Sequence, residues 1–162
     1  MKILILYDSF FGNTKKLAEE VKELLKEEHS ASLKNVRDTE VSEISEYGLL
    51  IAGSPTRAFR PSENFKPFLK GINKTEFKGK KFMAFDTGIP REDVPGFVSF
   101  LIKLFGYAST SIHKKLLKKG GIPIAAPETF FVGGKEGPIK DGEIKRIKNW
   151  VLKGLEDLDE TI

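Results

Sequence analysis

Ser9, Gly12 and Thr14 stand at short, fixed offsets within Asp8-Ser9-Phe10-Phe11-Gly12-Asn13-Thr14, and together they suit the binding of an anion. The two hydroxyls can donate to phosphate oxygens, and the glycine between them lets the backbone approach an oxyanion closely. The flanking residues support the same chemistry. Ile3-Leu4-Ile5-Leu6-Tyr7 is a continuous apolar run, the pattern of a strand buried on both faces. Leu17, Ala18, Val21, Leu24 and Leu25 then recur at helical spacing, so a helix is expected from Thr14 to about Glu28. A turn from such a strand into such a helix collects backbone N–H groups and the positive end of the helix dipole at one spot. On the turn alone, an ordinary βα connection capped by Asn13 or Thr14 is an equal reading.

Composition removes several classes of function. The 162 residues contain no Cys, so disulfides, thiol chemistry and thiolate metal sites are absent. His29 and His113 are the only imidazoles, both in Lys/Glu-rich helical surroundings that read as surface rather than as a metal pair. The net charge of +4 is dispersed in Lys-Lys pairs at 15–16, 80–81, 114–115 and 118–119, and no nucleic-acid recognition motif accompanies it. The first apolar run is too short for a signal peptide, and no later one approaches the roughly 20 residues that span a bilayer. The chain is therefore expected to be a soluble, cytoplasmic, single domain over residues 1–162, without nucleic-acid or membrane partners.

Alternating apolar runs and amphipathic stretches position the turn. Ala31 to Val36 is a short strand, and Thr39 to Glu46 a short helix or turn with Val41 and Ile44 inward. Gly48 to Gly53 is the next buried strand. Pro61-Ser62 opens a helix carrying Phe65, Phe68 and Leu69, and Phe82 to Phe85 is a fourth apolar run. A helical region spans Gly96 to Lys119, broken at Gly106 with Ser109 or Ser111 as a new cap, and stopped by Gly120-Gly121. Ile122 to Val132 is a fifth strand whose two prolines suit an edge. A last helix from Gly142 to Leu158 carries Ile144, Ile147, Val151, Leu155 and Leu158 on one face. This alternation predicts an α/β fold with a doubly wound, five-stranded parallel sheet.

Ile5, Leu6 and Tyr7, followed by Ser9, Gly12, Thr14, Ala18 and Val21, resemble the FMN-phosphate signature of the flavodoxin family. Ile51 to Phe59 and Glu128 to Trp150 are also similar to segments of compact proteins of that family. The resemblance implies the strand order 2-1-3-4-5, with FMN at the switch point between the first and third strands. It implies three cofactor-binding loops: Ser9, Phe10, Phe11, Gly12, Asn13 and Thr14 around the phosphate; Ser54, Pro55, Thr56, Arg57, Ala58 and Phe59 along one ring face; and Asp86, Thr87 and Gly88, with backbone groups of the last two at the pyrimidine edge and Asp86 a loop-structuring acid near the site. The chain departs from the family at three points. Phe11 replaces the usual Thr, the third loop lacks the family's Tyr, and the second loop lacks a Gly.

No catalytic or metal-ligating constellation is expected. Gly53-Ser54 lacks the second glycine of a nucleophile elbow. Asp8 is not a phosphoacceptor, because Ser54 stands where a receiver would carry a second acid. The resemblance implies an FMN-binding electron carrier between redox partner proteins, acidic ones given Arg57 and Arg60, acting as a monomer or weak homodimer. The alternatives are an NAD(P)H-dependent flavin or quinone reductase of the same fold and, least favoured, a flavin-free interaction module.

Overall fold

In the computed structural model, which describes residues 1–159, the apolar run of β1 (Lys2–Tyr7) is divided between two cores. Successive strand side chains point to opposite faces. Ile3 and Ile5 enter one core with Leu49, Ile51, Met83 and Phe85, while Leu4 and Leu6 enter the other with Leu50, Ala52, Phe82 and Ala84. The first core is closed by α1 (Asn13–Leu25) and, from the chain's other end, by α6 (Glu143–Asp159). The second is closed by α2 (Phe65–Gly71), α3 (Lys74–Phe77) and later α5 (Ala108–Lys118).

Helices on both faces require parallel strands, and the sheet is parallel throughout. β2 (Ser30–Asn35) and β3 (Leu49–Pro55) flank β1, and β4 (Lys81–Gly88) lies beyond β3. The fifth position is shared by two pieces, β5 (Ile122–Pro123) and β6 (Glu128–Phe131), both paired with β4. The expected order 2-1-3-4-5 is therefore present, with its last strand interrupted. The expected domain extends to residue 162, and 160–162 lie outside the described residues.

Several boundaries differ for local reasons. The helix expected from Pro61 begins at Phe65, because the Ser62 N–H donates to the Ser54 hydroxyl (2.9 Å) and its carbonyl accepts from Phe65 N–H (3.1 Å). The helical region does break at Gly106 (φ 75°), separating α4 (Gly96–Phe105) from α5. Neither Ser109 nor Ser111 recaps it. The Ala108 N–H instead donates across the structure to the hydroxyl of Thr56 (2.8 Å).

Phe85 anchors the first core, edge-on to Phe130 (6.1 Å) and Trp150 (6.3 Å), geometries worth about 0.5–1.5 kcal/mol each beyond burial. Its ring lies where a Cβ on Gly53 would stand. Gly53→Ala should therefore lower stability by about 1–3 kcal/mol through overpacking. Gly96→Ala, which meets nothing within 4 Å, should change it by less than about 0.5 kcal/mol. Urea midpoints of the two variants check this; equal midpoints would mean that the ring yields.

Candidate functional site

Where β1 gives way to α1, the backbone is held by its own side chains. Asp8 is fully buried, accepts from Asn64 Nδ2 (2.8 Å) and the Ser9 N–H (3.0 Å), and faces Arg37 Nε at 3.3 Å. Its carboxylate is thus committed to protein partners. The Ser9 hydroxyl oxygen accepts the Gly12 N–H (3.0 Å), which closes the turn. Gly12 has φ 90°, with nothing within 4 Å of an added Cβ, so conformation rather than space demands the glycine.

Beyond Gly12 the helix cannot satisfy its own first donors. The Lys16 N–H is the first to reach a helical acceptor, the Gly12 carbonyl (2.9 Å). The N–H groups of Phe10, Phe11, Asn13, Thr14 and Lys15 have no acceptor among the described residues. The Thr14 side chain is buried, its hydroxyl 2.8 Å from that of Thr87. With Thr87 donating, the Thr14 hydrogen is free for an anion.

A cleft opens over this turn. Ser9, Phe10, Phe11, Asn13 and Thr14 line one side, Pro55, Thr56 and Arg57 a second, and Thr87, Gly88 and Ile89 a third. A fourth wall, Val132, Gly134 and Lys135, comes from the loop after β6. Arg57 and Lys135 are the charged lining residues, and no carboxylate joins them. The Arg57 guanidinium lies 4.7 Å from the centre of the Phe10 ring, with Arg37 at 5.9 Å, a cation–π arrangement that holds Phe10 at the rim.

Asp86 ties the walls together from below. It accepts from the hydroxyls of Thr56 and Thr129 (2.8 Å to the latter), and Thr56 also donates its N–H to the Thr87 carbonyl (2.9 Å). Complete burial pushes the Asp86 carboxyl up to about 6, against the opposing effect of bonds from Thr56, Ser109 and Thr129. Tyr107 packs its ring on Gly88, where an added Cβ would meet it at 2.8 Å, and donates to the Ile89 carbonyl (3.0 Å).

Ten of the residues expected at the site line this cleft: Ser9, Phe10, Phe11, Asn13, Thr14, Pro55, Thr56, Arg57, Thr87 and Gly88. Gly12 shapes the turn, while Ser54 and Asp86 lie buried and hold loops. The Asn13 amide, expected at the phosphate, donates to the Glu136 carbonyl (3.1 Å) and pins the 133–140 loop. The Thr87 and Gly88 carbonyls already accept from Thr56 and Val132 N–H groups. Ala58 and Phe59 do not face the cleft. Reciprocal Arg57–Arg60 backbone bonds (2.9 and 3.0 Å) close a tight turn with φ 46° at Ala58 and 65° at Phe59. That turn carries the Phe59 ring outward, 6.0 Å from Phe105. Ile89, Val132, Gly134 and Lys135 were not expected. The pair Gly133-Gly134 at a strand's end was the only signal for the last three.

Among the described residues no helix is long and apolar enough to cross a membrane. No group of His, Asp or Glu side chains there could hold a metal.

A doubly wound parallel sheet with an anion cradle at the switch point defines a nucleotide-binding class of α/β protein. The flavodoxin profile matches residues 5–150. The chain belongs to the flavodoxin family, whose members bind FMN and transfer electrons. It is 33% identical over 92 residues to a flavodoxin of Maridesulfovibrio salexigens, a match spanning 54% of this chain and 63% of that one. Its fold is similar to that of an archaeal flavodoxin (TM-score 0.74, 19% identity, 99% and 98% of the two chains). It is also similar to oxidised flavodoxin 2 from Bacillus cereus (TM-score 0.75, 22% identity, 96% and 99%).

The cradle fits a phosphate: free N–H donors at a helix start, a free hydroxyl, and no carboxylate in the lining.

The buried acid below the cleft has a thermodynamic signature. With its folded value raised from 3.8 to about 6, Asp86 keeps its proton in the native state where the unfolded chain has lost it. Its contribution is therefore full below about pH 4 and lost as pH rises through 6, by about 3 kcal/mol. Asp86→Asn should gain on wild type by that amount between pH 4 and 7 in urea unfolding. A difference independent of pH would contradict the assignment.

Proposed function

We propose that this chain is an FMN-binding electron carrier, a single cytoplasmic domain that passes electrons between redox partner proteins. The observation that carries the reading is the row of unaccepted N–H groups at Phe10, Phe11, Asn13, Thr14 and Lys15. FMN, when bound, supplies the redox centre. The amides, with the hydroxyls of Ser9 and Thr14, hold its phosphate. Phe10, Pro55, Thr56, Arg57, Gly88 and Ile89 flank its ring, and Lys135 closes the fourth side. Arg57 and Lys135 favour added negative charge there, which suits acidic partners.

The reductase of the same fold is a second reading, favoured by one observation. An open apolar recess shares Thr56, Gly88 and Ile89 with the cleft and is walled by Val94, Val98, Ile102 and Tyr107. The two readings part on one experiment. A carrier holds FMN, stays oxidised under anaerobic NADPH and is reduced by dithionite. Rapid bleaching by NADPH would assign the reductase, and a protein that takes up no flavin would remove both.

Two variants test the residue roles. Thr14→Ala removes a donor to a charged acceptor, worth about 1.5–3 kcal/mol, so FMN affinity should fall by one to two decades. Riboflavin, which lacks the phosphate, should bind the variant unchanged, and Thr14→Ser should restore FMN. Equal losses for both flavins in titrations would refute the phosphate role. Arg57→Gln should lower the midpoint potential of the bound flavin by on the order of 20 mV at low salt, after allowance for screening. Arg60→Gln should change it less, because Arg60 lies outside the cleft. Potentiometry with the order reversed would contradict the placement of both side chains.

A further inference from the structure

Surface helices keep a polar outer face, and α4 does not. Lys103 is its single charged residue, and Ile102 its single buried one. Phe97, Phe100, Leu104 and Phe105 are 58–73% exposed, the first three at i, i+3 and i+7 and so on one face. A stripe of this kind marks a contact surface.

On another face, α4 borders a recess beside the cleft. α4 walls the recess through Val98 and Ile102, and the recess shares Thr56, Gly88 and Ile89 with the cleft. On its other side the recess shares Ala58 and Phe59 with a groove bounded by Phe105, Arg60, Lys114, Lys115 and Lys118. The strained Arg57–Arg60 turn is what brings Phe59 to this seam, against Phe105.

Charge selects the occupant. Residues 94–127 contain Lys103, Lys114, Lys115, Lys118 and Lys119 and no Asp or Glu. Lys119 is tied to the carbonyls of Lys70 and Ile72. Among the described residues no carboxylate pairs with Arg60, Lys103, Lys114, Lys115 or Lys118. A second copy would bring the same cations against these, and like charges oppose that contact.

We infer that the α4 stripe, with Arg60, Lys114, Lys115 and Lys118, is the docking surface for an acidic partner protein presenting an apolar patch ringed by carboxylates. This rests on the carrier reading, since docking there brings a partner's redox centre to the Gly88-Ile89 edge of the cleft. The apolar stripe supplies affinity, and the lysines supply steering.

The probes are rubredoxin, a small acidic iron–sulfur protein, and cytochrome c, a small basic haem protein. Binding is read by NMR titration of both apoprotein and FMN-loaded protein, and electron transfer by anaerobic stopped flow. Wild type should bind rubredoxin at low salt, with amide shifts in α4 and α5, and should lose it as salt rises. Lys114→Glu with Lys115→Glu and Lys118→Glu should slow association with rubredoxin at least about tenfold and reverse the preference toward cytochrome c. Phe97→Ser with Leu104→Ser should weaken the complex about tenfold with the salt dependence retained. Both variants should keep the wild-type visible spectrum and FMN affinity, because the altered side chains are exposed and outside the cleft.

Several results would overturn the inference: no complex with rubredoxin at low salt, shifts elsewhere, or variants that bind it as wild type does. So would a homodimer in sedimentation, or adhesion to phosphatidylglycerol vesicles, abolished by Phe97→Ser with Leu104→Ser. The apoprotein titration separates the two readings. Failure to take up FMN removes the carrier function, whereas loss of rubredoxin binding with FMN retained removes only the docking surface.

Discussion

A helix that starts directly from the end of a buried parallel strand cannot bond its own first N–H groups, and here that deficit lies at the centre of the sheet. β1 has neighbours on both sides, and the chain passes to β2 on one side before crossing to β3 on the other. The β1–α1 turn therefore opens at the point where the crossovers diverge, and other loops can close around it but not over it. Its unmet donors are stable only against water or an anion. The surrounding structure conforms to that constraint: Asp8 accepts from Asn64 and faces Arg37 within the protein, and the cleft lining contains cations and no carboxylate.

The cleft walls are held by contacts distant in sequence. Asp86 gathers Thr56 and Thr129, Thr56 reaches on to the start of α5, and Asn13 pins the loop that carries Lys135. Each wall is thus positioned by another wall. A loss at one loop is felt at the others, as expected where polar groups share a buried network. The basic character of the region extends outward from Arg57 and Lys135 into α5, beside the apolar face of α4. The cleft, the basic residues of α5 and the exposed apolar residues of α4 accordingly lie at one end of the sheet.

The sheet and the geometry of the β1–α1 turn were legible because their signals are local. An unbroken run such as Ile3 to Tyr7 suits little but a buried strand, and Ser9, Gly12 and Thr14 act within a few residues of one another. The prolines flanking Ile124 announced the divided edge strand in the same way. The direction of Phe59 was not legible because Arg57-Ala58-Phe59-Arg60 contains none of the Gly or Asn that normally mark a turn with positive φ at both central residues. Its direction follows from tertiary closure, not from its own preference. Lys135 was not expected because its loop reaches the cleft through contacts distant in sequence, the pairing of β6 with β4 and the Asn13–Glu136 bond. The apolar residues of α4 are spread around the helix, and only the packing shows which of them face solvent.

The central claim is that backbone amides at the β1–α1 turn hold a phosphate. The most direct measurement is the amide spectrum of the ¹⁵N-labelled apoprotein, titrated separately with FMN and with riboflavin. Both ligands should shift residues along the ring walls, such as Thr56 and Gly88. The amide protons of Asn13, Thr14 and Lys15 should move strongly downfield and become protected from exchange with FMN alone. Identical responses of those three amides to the two flavins would contradict the account.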